Sequence, residues 1–152
     1  MKRCLKYILF LLILYNTYLI SSEISIGLSI GKPTGVSCNM KLANDKTRGY
    51  DLGFEVNTTD SKLYFIFDVV KYNYKKITSK ELTGKIPVFY GFGVGVINLD
   101  RKTKLGIRIV GGIEYIFSDI PFNIFFKLAP EVYLIPSTSV EVSPALGIRY
   151  IF

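Results

Sequence analysis

Among the twelve acidic residues of this 152-residue chain, Glu55, Asp68, Glu114 and Glu131 are those that could in principle supply a carboxylate pair for acid–base chemistry. A carboxylate pair can divide general-acid and general-base work when its surroundings push the two pKa values apart. The chain contains no histidine, which excludes His-dependent nucleophilic triads. Serine and acidic residues remain, but no arrangement of them stands out. Beyond residue 22 the only cysteine is Cys38, so neither an intrachain disulfide nor a dedicated metal site is indicated. Gly91, Gly93 and Gly95 (GFGVG) superficially match a dinucleotide fingerprint. A phosphate cradle needs a helix directly after the glycines, whereas these sit inside a strand-like run and read as spacers. The carboxylates are therefore expected to serve as ion-pair partners in an interior. No catalytic residue, cofactor or metal is expected, and the chain does not read as an enzyme.

The elements that must position these charges come from strict two-residue alternation, which sends successive side chains to opposite faces of a strand. The last stretch, Ser139 to Phe152 (SVEVSPALGIRYIF), shows it best. Val140, Val142, Pro144, Leu146, Ile148, Tyr150 and Phe152 share one face, against Ser139, Glu141, Ser143, Ala145, Gly147, Arg149 and Ile151. The same rhythm predicts strands over 23–31, 36–42, 49–56, 62–72, 85–97, 105–117 and 122–134. Turn residues separate them, such as Lys32-Pro33-Thr34-Gly35. The longest connection is expected over 73–84. Most strands approach the roughly 9–11 residues that cross a bilayer at a tilt. No helical period follows residue 22. The expected fold is all-β, an eight-stranded antiparallel up-and-down transmembrane β-barrel over residues 23–152.

Polarity of the two faces decides which one is inside. A soluble barrel turns its apolar set inward, but the lumen of eight strands only just accommodates its side chains. The bulky aliphatic set would overpack that space, whereas the set rich in Gly, Ser and Ala fits. The apolar face is therefore expected to meet lipid. The lumen then holds Asp51, Glu55, Asp68, Glu114, Glu131 and Glu141 against Lys41, Lys85, Arg108, Lys127 and Arg149, with Tyr64, Tyr72, Phe89, Phe125 and Tyr133 among them. A pore tends to carry a ring of one sign; near-balanced charges point to a paired, plugged interior. The short turn at 118–121 makes the sixth and seventh strands antiparallel neighbours. Two registers keep like faces together. One sets Arg108 opposite Glu131 with Glu114 diagonal to Lys127; the other sets Glu114 opposite Lys127. Either gives the lumen pairs Arg108–Glu131 and Glu114–Lys127.

Residues 1–22 read as a cleaved secretory signal: Lys2, Arg3 and Lys6 precede an apolar run at 7–15, and Ser21 and Ser22 are small enough for cleavage. Loss of that leader would lower the net charge from +7 to +4. No dense Lys/Arg block interleaved with aromatics suggests nucleic-acid binding.

The stretches IGKPTGVS (30–37), IPVFYGFG (86–93), LGIRI (105–109), EYIF (114–117), FFKLAPE (125–131) and GIRYIF (147–152) resemble a family of small OmpA-like outer-membrane proteins of the kind known from spirochaetes. The resemblance spans nearly all of the chain after the leader. It implies an eight-stranded barrel in the bacterial outer membrane and no assigned activity. The chain departs from the family pattern at Lys127, where an acid is usual, and at Ile66, where a polar ring is usual. The terminal strand resembles that of outer-membrane barrels in general, so Ile148, Tyr150 and Phe152 are expected to signal to the barrel-assembly machinery. The expected partners are outer-membrane lipid, that machinery, and an envelope or host ligand at the loops; the expected state is a monomer. Two roles fit: a structural or surface-interaction (adhesin-like) barrel, or a narrow channel for ions or very small solutes. The balanced lumen favours the first.

Overall fold

A computed structural model describes residues 21–57, 61–77, 83–99 and 102–152. The expected leader lies outside the described residues except for Ser21 and Ser22, which open the first strand. Eight strands follow in order: β1 (Ser21–Gly31), β2 (Gly35–Leu42), β3 (Arg48–Asn57), β4 (Lys62–Ile77), β5 (Ile86–Leu99), β6 (Lys102–Ile116), β7 (Phe122–Ile135) and β8 (Ser139–Ile151). Each pairs with its sequence neighbour, and β1 pairs with β8, so the sheet closes on itself. Every pairing is antiparallel. The protein is thus all-β, a closed up-and-down barrel of eight strands, and no described residue is helical.

Alternation in the sequence becomes a division between inside and outside. Each register pairs like with like, as in Leu52 with Phe67 and Asp51 with Asp68. The aliphatic and aromatic set stands exposed on the outer wall, with Phe92 and Ile109 more than two-thirds exposed (68% and 69%). The small and charged set is buried, down to 0% for Asp68, Glu131 and Ser143. Closure leaves no free sheet edge.

Two strands run further than alternation suggests. β4 continues to Ile77, into the stretch expected as a loop, because its ladder with β5 resumes at Ile77–Ile86 after an irregularity. β6 begins at Lys102, since Leu99 and Lys102 already pair.

The connections differ at the two ends. Connections of two to four residues join the strands at the end away from the termini. The longer connections 43–47, 78–85 and 117–121 share the end of β1's start and β8's finish. At the far end the β1–β2 turn folds inward. Gly31 makes it possible with a left-handed φ of 111°, a conformation that glycine adopts without steric cost. Pro33 is buried, and Ser29 donates to its carbonyl oxygen (2.9 Å). Glu55 accepts from the Thr34 backbone N–H (3.1 Å) and meets Lys62 Nζ (3.1 Å).

Candidate functional site

The lumen is the place where chemistry-bearing side chains converge. Asp51, Glu55, Asp68, Glu114 and Glu131 are buried there with Lys41, Arg108, Lys127 and Arg149. Burying a charge is costly unless it is paired and hydrogen-bonded, so the strands must bring opposite signs together. They do so in a chain of contacts along the barrel.

At the centre, Asp51 of β3 accepts from Lys127 Nζ through Oδ2 and from Arg149 Nη2 through Oδ1. Arg149 also donates to Ser37 Oγ from Nε (3.0 Å) and Nη2 (2.7 Å). Its guanidinium carbon lies 3.8 Å from the centre of the Phe125 ring, where the ring quadrupole attracts a cation. Toward the far end, Arg108 Nε lies 3.0 Å from Asp68 Oδ1, and Nη1 lies 3.6 Å from Glu131 Oε2. The Tyr64 hydroxyl sits between them, accepting from Arg108 Nη1 (2.8 Å) and donating to Glu131 Oε2 (2.6 Å). Ser143 adds a longer contact to the same oxygen (3.4 Å). Toward the termini, Lys41 Nζ donates to Glu23 (2.8 Å) and lies 3.6 Å from Glu114. Asn39 donates to the Tyr72 hydroxyl beside them (2.7 Å).

Glycine on β5 makes room for this lattice. A Cβ at Gly93 would collide with the Asp68 carboxylate, and one at Gly95 with that of Glu131. The spacer reading of GFGVG therefore has a geometric cause: two carboxylates lie over that strand.

Arg108 stands directly opposite Glu131, and β6 pairs with β7 in the register that sets Glu114 opposite Phe125 and Lys127 opposite Gly112. The expected Glu114–Lys127 pair is not formed. Lys127 turns across the lumen to Asp51, and Glu114 turns to Lys41; in a closed barrel, cross-lumen partners compete with diagonal neighbours on the same sheet. Lys85 is also placed differently from expectation. It is exposed and makes only an isolated bridge to Ile116, beyond the first residue of β5. Glu141 lies at the rim, one-third exposed (33%), and meets Lys32 (3.1 Å) and Lys104 (3.8 Å). Glu55, Asp68 and Arg149 are inside, as are Tyr64, Tyr72, Phe89, Phe125 and Tyr133. Ile66, completely buried, packs with Tyr64, Ile97 and Tyr133.

Several members of the lattice escaped the sequence reading: Glu23, Lys32, Lys62 and Lys104 as rim partners, and Tyr64 as the hydroxyl joining Arg108 to Glu131. Alternation could place Tyr64 inside, but no spacing signals its partners, because they come from strands far away in sequence. Cys38, half-buried, faces outward with Ile26 and Leu52 as its cross-strand neighbours.

Ile148, Tyr150 and Phe152 stand together on the outer wall of β8 and just beyond it. Tyr150 packs edge-on against Phe122 (5.3 Å between centres) and near-perpendicular to Phe152 (4.9 Å). Among the described residues, no group of three or more His, Cys, Asp or Glu side chains is placed to hold a metal ion. Compared with known proteins, the chain matches no family model, no curated protein and no solved structure.

Proposed function

We propose that the mature chain is an integral outer-membrane β-barrel with a structural role, its lumen closed by the ion-pair lattice. The observation that carries this reading is the inversion of polarity: the charges are inside and the apolar wall is outside. Soluble monomers rarely expose apolar patches beyond a few hundred Å². Here exposed Ile, Leu, Val, Phe and Tyr side chains run around every strand, from Leu28 through Phe54, Phe92 and Ile109 to Leu146. A bilayer is the solvent that such a wall fits, and closure satisfies the backbone inside it. The aromatic cluster Phe122, Tyr150 and Phe152 fits a membrane interface and would present the assembly signal of the terminal strand.

Between the two roles considered, the interior favours the structural one. Arg108, Arg149 and Lys127 reach across the lumen to acids on other strands, and Pro33 is tucked into the far end. An adhesin-like role draws little support from the short turns at that end. With both termini periplasmic, the longer connections would face the periplasm, the reverse of the usual disposition.

Purified protein refolded in detergent, then reconstituted in planar bilayers, tests the proposal. A β-rich, heat-modifiable monomer without stable channels is expected. A monodisperse protein that needs no detergent would overturn the membrane reading, and large uniform unit conductances would replace the structural role by the channel.

A further inference from the structure

On the outer wall near the termini, a groove runs across β3, β4 and β5, lined by Leu42, Arg48, Tyr50, Val69, Lys71 and Tyr90. Val69 lines it between cross-strand neighbours Tyr50 and Phe92. Tyr50 stacks on Phe67 (5.8 Å between centres), one step farther from the termini, and so leaves Val69 open. At the terminal end of the groove, Arg48 and Lys71 are direct cross-strand partners, both exposed. Like charges set directly opposite destabilise a sheet. Among the described side chains, outward strand positions carry charge only at Arg48, Lys71 and Lys75. Asp45 meets Arg48 through Nε (3.2 Å) and is itself held by the Thr47 backbone N–H (3.0 Å). Lys71 makes no salt bridge among the described residues, though the same Asp45 carboxylate attracts it as well.

An apolar trough that ends in two opposed cations, with a tyrosine on either side, has the chemistry of a lipid: acyl chain below, phosphate above. We propose that this groove is a binding site for a glycerophospholipid with an anionic headgroup. Its phosphate lies between Arg48 and Lys71, and an acyl chain lies along Val69 between Tyr50 and Phe92. The proposal rests on the membrane reading given above. Two cations face the single Asp45 carboxylate; the bound phosphate supplies the second anion, at the depth where tyrosine rings and long cationic side chains settle in a bilayer. The remaining grooves described on the outer wall, around Pro130 and Val132 and around Leu28 and Leu146, have no opposed cations at their ends.

The test uses the detergent-refolded barrel titrated with short-chain phosphatidylglycerol below its micelle concentration, read by amide shifts in NMR. Saturable shifts centred on β3–β5 are expected, weakened about thirtyfold in R48Q/K71Q, since each cation near a lipid surface contributes about fivefold. K102Q, at the opposite end of the barrel, should leave binding unchanged, and retained heat-modifiability shows that R48Q/K71Q folds. Undiminished binding in R48Q/K71Q overturns the site, as does binding of inorganic phosphate as tight as that of the lipid, which would mean that no acyl chain is held. Short-chain phosphatidylcholine binding as tightly as phosphatidylglycerol would overturn the preference for an anionic headgroup. These results leave the membrane reading standing; a barrel that is monodisperse without detergent would remove that reading instead.

Discussion

Arg108 Nε lies 3.0 Å from Asp68 Oδ1 although their strands, β6 and β4, do not pair. Gly93 of β5 stands between them, directly opposite both residues in register. The absent side chain at Gly93 leaves the lane through which the guanidinium and the carboxylate meet. A single row therefore runs around the wall from Asp51 through Asp68, Gly93 and Arg108 to Glu131. Asp51 and Asp68 are like charges set side by side, and they are tolerable because Arg149 and Lys127 take the first while Arg108 takes the second.

Gly93→Ala should therefore destabilise the barrel by about 1–3 kcal/mol, the usual cost of overpacking a filled interior. Its Cβ would meet the Asp68 carboxylate and the Phe67 carbonyl oxygen. Gly111→Ala is the matched control, because a Cβ there meets nothing within 4 Å. Urea unfolding in lipid vesicles, monitored by circular dichroism, checks the difference; equal midpoints for the two variants would mean that no lane exists.

Arg108→Met leaves Asp68 and Glu131 without their cation, and removing one partner of a buried pair costs about 3–5 kcal/mol. A double-mutant cycle with Glu131→Leu should show coupling, and one with Asp68→Leu should show more, because Asp68 lies closer to the guanidinium (3.0 against 3.6 Å). Additive effects in both cycles would remove Arg108 from the centre of the lattice.

Lys127 and Glu114 supply the opposite expectation. Each is engaged elsewhere, Lys127 with Asp51 and Glu114 with Lys41. Lys127→Met should couple with Asp51→Leu, and should couple less with Glu114→Leu, a diagonal neighbour to which it makes no salt bridge. Strong coupling between positions 114 and 127 would restore the pair expected from the turn alone.

These two cases mark how far the sequence could be read. Alternation placed Arg108 and Glu131 on the inner face, and the short 118–121 turn limited the register to choices that kept them near each other. That reasoning is local to one hairpin. Lys127 meets Asp51 across 76 positions of sequence, and which residues face each other over a closed lumen depends on how far the whole sheet is staggered, which no single hairpin records. Lys85 shows the same limit at a strand end: its parity is right for the interior, but it stands beyond the first residue of β5, where parity no longer implies enclosure. β4 ran past its expected end because residues 73–77 (NYKKI) lack alternation, while the β5 ladder still holds Ile77 opposite Ile86.

The faces themselves can be tested on adjacent residues of β8. Leu146 is exposed on the outer wall (45%), between Ile30 of β1 and Phe126 of β7, and Ala145 beside it is buried in the lumen (2%). In a bilayer an arginine on the lipid face costs about 2–4 kcal/mol near the midplane and less toward the interfaces. Leu146 lies close to the middle of β8, so Leu146→Arg should lose a sizeable part of that range when folding is measured in lipid vesicles. In water the same exposed position would accept arginine to within about 0.5 kcal/mol, as surface substitutions usually do. Ala145→Ser places a small hydroxyl among polar lumen groups, next to Lys127 in register, and should change stability little in either setting. A Leu146→Arg variant that folds in vesicles as stably as the parent would therefore mean that water, not lipid, surrounds the wall. A large loss for Ala145→Ser with none for Leu146→Arg would show that the two faces are exchanged.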